Sequence, residues 1–389
     1  MHGKLEQIGN GHITLIDSLG TRSFGDPAAE LRATVRVTNP RFYRSISLGG
    51  SIGAGESFCD GHWQCDDLVA LIRIFARNMQ TSNDLGRIGN AVVNLGRRVS
   101  HCMNRNTPDG SRRNIAAHYD LSNDFYSLFL DETMTYSSGI FNSPDCSMLE
   151  ASREKYDRLC RMLQLTSSDR VLEIGTGWGG FAIHAAKNYG CHVTTTTISK
   201  QQHDYAAKAI SDAGLSDRID LKLSDYRDLG GQYDKIVSIE MIEAVGHEFF
   251  DTYFAKCSGM LKPCGLFALQ AITIPDQRYD AYRKSVDFIQ RYIFPGGFLP
   301  SLGAMANSVG RVTDLQMVQF DDFAMDYART LECWRRQVHA NLDSITRLGM
   351  SDTFLRMWHY YLCYCEGAFR EKQIGVAQLL LQKQGMIGK

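Results

Sequence analysis

No run of the sequence is long and apolar enough to cross a bilayer; the longest, around Gly265 to Ile274, falls well short of the roughly 20 residues a spanning helix needs. The opening Met1-His2-Gly3-Lys4 lacks the apolar segment of a secretory signal, so a cytoplasmic protein is expected. Paired metal-type cysteine spacings are missing too: the 11 cysteines are scattered, and Cys363 and Cys365 stand too close together for the usual zinc hairpin. They read as reduced, mostly core thiols, and no metal is expected. Charge of neither sign is in excess, the formal net charge being -1, which excludes bulk attraction to nucleic acid and leaves any anionic partner to a local patch. Neither an internal repeat nor a low-complexity segment interrupts the 389 residues, enough for one large domain or two moderate ones.

What is present is a buried-strand pattern that breaks into glycines and resumes as a helix: Val171-Leu172-Glu173-Ile174-Gly175-Thr176-Gly177-Trp178-Gly179-Gly180. Such glycines let backbone approach a cofactor closely, and the spacing of Gly175, Gly177 and Gly180 alone fits a dinucleotide fingerprint. A nicotinamide site also wants an acid roughly 20 residues on, at the end of the next strand, to hold a ribose. That strand, His192 to Thr197, runs instead into Ile198-Ser199-Lys200-Gln201-Gln202, with no carboxylate. The acid stands before the first glycine, at Glu173, which is the arrangement of an S-adenosylmethionine (SAM) methyltransferase. SAM is therefore the expected cofactor.

From about residue 115 strands and helices alternate, the signature of an α/β, doubly wound, Rossmann-like sheet. Strands are expected at Arg170 to Ile174, His192 to Thr197, Ile219 to Leu223, Lys235 to Ile239 and Leu266 to Ala271, with the cofactor across their carboxyl ends. Residues 1–95 are expected to form a smaller amino-terminal domain. It has short apolar segments at His12 to Ile16 and Ala33 to Val37, then Gly49-Gly50-Ser51-Ile52-Gly53, then a helix through Leu68, Leu71, Ile72 and Phe75. Residues 96–114 make a basic linker with Arg97, Arg98, His101, Arg105, Arg112 and Arg113. It reads either as a solvated connection or as a contact with anionic lipid head groups, each cation near such a surface being worth about 1 kcal/mol. Residues 115–389 make the catalytic domain. Within it, prolines and glycines are expected to keep Pro275 to Gly310 irregular, with Phe294-Pro295-Gly296-Gly297-Phe298-Leu299-Pro300 placed to cover a substrate. Ser351 opens a helix with Phe354, Leu355, Trp358, Leu362 and Phe369 on one apolar face, and a strand is expected from Ile374 to Gln382.

Upstream of the glycine loop stand His118-Tyr119-Asp120-Leu121-Ser122-Asn123-Asp124-Phe125-Tyr126 and Leu130-Asp131-Glu132-Thr133-Met134-Thr135-Tyr136-Ser137-Ser138. Later come the Thr197-Ile198-Ser199 turn, Asp225-Tyr226-Arg227-Asp228, Glu243-Ala244-Val245-Gly246 and Tyr292-Ile293-Phe294-Pro295-Gly296-Gly297. In this order, with the glycine loop, they closely resemble the cyclopropane-fatty-acyl-phospholipid synthase family, whose catalytic half the mycolic acid cyclopropane synthases share. Gly50-Ser51-Ile52-Gly53-Ala54-Gly55-Glu56-Ser57 and Asp60-Gly61-His62-Trp63 resemble the family's amino-terminal domain, so the likeness covers nearly the whole chain. The resemblance implies SAM contacts at Tyr136 and Ser137, at Glu173, Gly175, Thr176, Gly177, Trp178, Gly179 and Gly180, and at Thr197, Ser199 and Gln202. It also implies a bound bicarbonate ion as the base, hydrogen-bonded by Glu243, with Tyr327 and Ile272 at the same site. Two positions depart from the family pattern: Ser138 stands where it usually has cysteine, and Gln270 where it usually has histidine. Cys365 matches a family cysteine once proposed as catalytic.

A sulfonium that gives its methyl to an alkene leaves a carbocation, and a proton must then pass to a nearby weak base. The function expected from the resemblance is transfer of a methyl(ene) group from SAM to the double bond of an unsaturated phospholipid acyl chain, by a peripheral protein at the inner membrane surface. A cyclopropane is the leading product. Alternatives are methylation of the chain without ring closure, a small-molecule SAM methyltransferase, and a non-catalytic SAM- or lipid-binding protein; a homodimer is left open. Plainer readings stand beside each candidate: Glu243 as a first-turn carboxylate, Tyr136 and Tyr327 as packing aromatics, Ser138 as a loop hydroxyl, Gln270 as a core amide. For Cys365 the plainer reading, a core thiol on an apolar helix, is the stronger one.

Overall fold

The computed structural model describes residues 5–78 and 121–385. These form two compact units: a first of 5–78, Lys284–Ile293 and Leu331–Ile374, and a second of 121–283, Phe294–Thr330 and 375–385. The basic residues from Arg97 to Arg113 and the His118-Tyr119-Asp120 run lie outside the described residues.

In the first unit β1 (His12–Asp17), β2 (Gly20–Gly25), β3 (Arg32–Val37) and β4 (Trp63–Cys65) form a sheet in the order β2-β1-β3-β4. Alternation fixes its buried face: Ile13 and Leu15 of β1 lie in register with Ala33 and Val35 of β3, and all four are buried. The glycine stretch Gly49 to Gly53 lies inside the helix Arg41–Cys59. The chain kinks there at Gly50, whose φ of 57° and ψ of -135° suit a residue without Cβ. The helix Leu68–Arg77 is capped by Asp67, whose side chain accepts from the Ala70 N–H. It packs closely on the helix Asp352–Arg370, which Ser351 caps as expected: a Cβ on Gly367 would meet Ile72 at 2.6 Å, and Arg73 and Arg77 both grip Glu371. Chain position would put Lys284–Ile293 and Leu331–Ile374 with the catalytic residues; by contact they cluster with the amino-terminal unit.

The second unit is built on seven strands: β5 (Arg170–Ile174), β6 (His192–Thr197), β7 (Ile219–Leu223), β8 (Tyr233–Ile239), β9 (Leu261–Thr273), β10 (Leu315–Asp322) and β11 (Gly375–Lys383). Their order is β10-β11-β9-β8-β5-β6-β7; the run from β9 to β7 is parallel, and β11 and β10 join antiparallel. Central β5 is buried on both faces, which is why it reads as a continuous apolar run. Val171 packs with Phe181, Ala182 and Leu159 on one side, and Leu172 and Ile174 with Phe254 and Phe267 on the other. β10, not anticipated from sequence, is a mostly exposed edge strand with an irregular register, so its apolar signal is weak. The irregular stretch expected over Pro275 to Gly310 is instead three helices, Asp276–Tyr282, Phe288–Tyr292 and Leu302–Val312. Pro275, Pro295 and Pro300 fall between helices rather than within them, and Asp287 and Ser301 supply N-caps. The stretches 283–287 and 293–300 stay irregular. No described helix is long and apolar enough to cross a membrane.

Candidate active site

In the second unit the chain runs from β5 to β6 and β7 on one side, then places β8 on the other side of β5. At such a reversal the carboxyl ends of the two central strands leave a crevice, the ligand position of an open parallel sheet. β5 ends there in the loop 175–180, and β8 ends in Glu240 to Ala244.

On the β5 side, Gly175, Gly177 and Gly179 all have positive φ, and a Cβ added to Gly177 would meet nothing within 4 Å. The loop is therefore open where a cofactor would approach it, as SAM binding requires. Glu173 lies beneath: its Oε2 accepts from Thr195 Oγ1 at 2.6 Å, and Thr195 meets Thr176 Oγ1 at 2.7 Å, tying the carboxylate to the loop. Burial pushes the Glu173 carboxyl up to about 8. Thr197, Ser199 and Gln202 share one turn, with Thr197 Oγ1 donating to Gln202 Oε1 at 2.9 Å and Ser199 Oγ accepting from the Gln202 N–H. Asp225 is clamped by the Arg227 guanidinium at 2.9 and 2.7 Å. The Trp178 indole donates to Asn123 Oδ1 at 2.8 Å, and Tyr126 stacks obliquely between Trp178 and Tyr136, 5.0 and 5.3 Å from their centroids. Ser137 Oγ accepts from the Lys155 ammonium at 2.6 Å. Lys155 is wholly buried, and desolvation lowers it to about 8 against the pull of Glu240, Asp131 and Glu173.

On the β8 side three of the residues expected around a bicarbonate, Ser138, Gln270 and Tyr327, meet on the Glu240 carboxylate. Ser138 N donates to Glu240 Oε1 at 2.9 Å, Gln270 Nε2 donates to the same oxygen at 2.8 Å, and the Tyr327 hydroxyl donates to Glu240 Oε2 at 2.7 Å. Gln270 is held in turn by Gln378, whose amide donates to its Oε1 at 2.9 Å; its remaining hydrogen faces Ser138 O at 3.5 Å. The Ser138 hydroxyl donates to Gly139 O at 3.0 Å. Glu243 stands apart: Oε1 accepts from the Ile272 N–H, and buried Oε2 has no partner among the described residues. Burial and the adjacent Glu240 charge push the Glu243 carboxyl up to about 8. The donors assigned to a bicarbonate are thus committed to a carboxylate of the chain, and the residues present do not fit that ion within this set.

Sequence reasoning missed Glu240, although it is the first residue past β8 at the sheet's carboxyl edge, where ligand-facing groups collect. Its φ of 48° is left-handed, a conformation that costs a non-glycine residue about 1–2 kcal/mol and gathers at functional sites. Gln378 was legible as the lone amide in Val376-Ala377-Gln378-Leu379-Leu380. Asn123 stood inside a motif of the resemblance without an assigned role, and Lys155 carried no signal beyond its type. Cys365 lies in the first unit, on the helix Asp352–Arg370, where burial raises its thiol well above the ordinary value. The carboxylates Glu173, Glu240 and Glu243 belong to the second unit.

Residues 106–379 match the family model of mycolic acid cyclopropane synthetase. The chain belongs to this family. A tuberculostearic acid methyltransferase of Mycobacterium tuberculosis is 39% identical over 360 residues, covering 88% of this chain and 81% of that protein. A cyclopropane-fatty-acyl-phospholipid synthase of Escherichia coli is 36% identical over 354 residues, covering 90% and 88%. Among solved structures, a mycolic acid cyclopropane synthase complexed with SAH and CTAB superposes with a TM-score of 0.65 at 30% identity, over 70% of this chain and 98% of that one. As a member of the mycolic acid cyclopropane synthetase family, the chain is a SAM-dependent methyltransferase, and its second unit carries the mixed seven-stranded sheet of that fold.

Proposed function

We propose that the protein transfers a methyl group from SAM to the double bond of an unsaturated phospholipid acyl chain and leaves the added carbon as a branch. One observation carries the reading: a glycine loop open to SAM and a carboxylate pair, Glu240 and Glu243, end the two central strands of one crevice. The loop positions a sulfonium, and the carboxylates suit the proton that must leave afterwards. Adding a methyl cation and losing a proton raises the chain by one carbon and two hydrogens. A ring-free product therefore keeps one double bond, and saturating it would need a hydride donor outside this reaction.

Support for the branch comes from the tuberculostearic acid relative, named for methylation rather than ring formation, and from Gln270, which has no titratable nitrogen where the family resemblance places histidine. Ring closure, placed first by the sequence, is kept as a second reading by the 36% identical cyclopropane synthase. The phospholipid substrate rests on that same relative's name. Ozonolysis of the methylated lipid tests the product: a branched alkene is cleaved at its remaining double bond, whereas a cyclopropane resists.

A further inference from the structure

Three separate elements of the second unit each aim a hydrogen at one carboxylate: the backbone at Ser138, the β9 amide of Gln270, and the hydroxyl of Tyr327 on the helix Ala324–Ala340. We propose that the Glu240 carboxylate is itself the proton acceptor of the methyl transfer, standing where the family resemblance places a bicarbonate. The proposal rests on the acyl-chain reading given above.

Four features converge on it. The donors that would hold a bicarbonate are already spent on Glu240, so a free anion there would gain few bonds and would sit beside two carboxylates. Burial raises the Glu240 carboxyl above its ordinary range, which strengthens it as a proton acceptor, while its hydrogen bonds and wholly buried Lys155 oppose that rise. The backbone at φ 48° would suit glycine, so the carboxylate stands at a position that backbone geometry alone favours for a residue without Cβ. Lastly, Glu240 closes the strand that flanks β5 at the crevice, across from the glycine loop.

The step balances without any further reagent. The S–CH3 bond of the sulfonium breaks with both electrons kept by sulfur, and the alkene π pair forms the new C–C bond. A cation remains on the neighbouring carbon. A C–H bond beside it then breaks, its proton passes to a Glu240 oxygen, and its electron pair becomes the new double bond or the ring. Such a hydrogen is acidic enough that a carboxylate held by three hydrogen bonds suffices as base. The proton returns to water when product leaves.

Wild type, Glu240→Gln and Glu240→Gly are compared for methyl transfer from SAM to monounsaturated phospholipid vesicles, in carbon dioxide-free buffer and with added bicarbonate or formate. SAH affinity is measured by calorimetry in parallel. The wild-type rate is expected to change less than twofold on removing carbon dioxide. Glu240→Gln should lose about 100-fold or more in turnover with SAH affinity intact, and Glu240→Gly should regain part of the loss with formate or bicarbonate. Three results overturn the Glu240 assignment alone: full turnover in Glu240→Gln, a wild-type rate that collapses without bicarbonate, or a Glu240→Gly variant that neither anion restores. A wild type that binds SAH yet methylates no lipid overturns the acyl-chain reading, and this proposal with it.

Discussion

Replacing Gly177 with alanine separates the cofactor loop's local strain from its function. Gly177 sits at φ 53°, and a Cβ placed there meets no protein atom within 4 Å. The added methyl therefore costs the fold left-handed strain and nothing else, about 1–2 kcal/mol. For a unit of this size that corresponds to a loss of roughly 2–8 °C in Tm. Gly214, at φ 67° and equally open, supplies the matched control, since alanine there carries the same strain away from the loop. Gly180→Ala is the opposite case: its Cβ would lie 2.5 Å from the Tyr156 hydroxyl and 3.1 Å from Thr133 O, so the fold itself must shift. If SAM lies against the loop, the Gly177 methyl occupies cofactor space, and overpacking of about 2 kcal/mol corresponds to roughly a 30-fold loss of affinity. Calorimetric titration with SAH should show that loss in Gly177→Ala and none in Gly214→Ala, with similar falls in Tm. Wild-type SAH affinity in a folded Gly177→Ala protein would refute the placement of the cofactor.

Glu243, pushed up from an ordinary 4.5 to about 8, keeps a proton in the folded state that the unfolded chain has already released. Its contribution to stability is complete below about pH 4.5 and is lost as pH rises toward 8, so the wild type should lose stability over that window. Glu243→Gln should flatten the decline without abolishing it, because Glu173 has the same sign; denaturant midpoints from pH 5 to 8 that fall equally in both proteins would contradict this. Cys365→Ser should keep turnover within about twofold of wild type, since burial holds the thiol neutral and so unreactive; loss of 100-fold or more would restore the catalytic cysteine.

The central sheet was legible because its pattern is local. β5, β6 and β7 begin and end where the sequence predicts, since a continuous apolar strand and a β-branched run each carry their own signal. The Ser351 cap was equally readable. What escaped depends on partners far away in the chain. Gln270 is paired to Glu240 and Gln378, 30 and 108 residues distant, and no spacing rule links them. The resemblance names Ser138, Gln270 and Tyr327 for one site, and the structure pairs all three with Glu240, a partner it did not name. Helices near Pro275 and Pro300 were missed because proline breaks a helix only from within, and here it marks the ends. The carboxyl-terminal helix joins the amino-terminal unit through Gly367 against Ile72, a close approach that chain order hides.

The most direct measurement is transfer from SAM bearing a trideuterated methyl to vesicles of a monounsaturated phospholipid, read by mass spectrometry of the released fatty acids before and after ozonolysis. The account predicts acyl chains heavier by one deuterium-labelled carbon that ozone still cleaves. A folded, SAH-binding wild type that leaves the acyl chains unlabelled would contradict it.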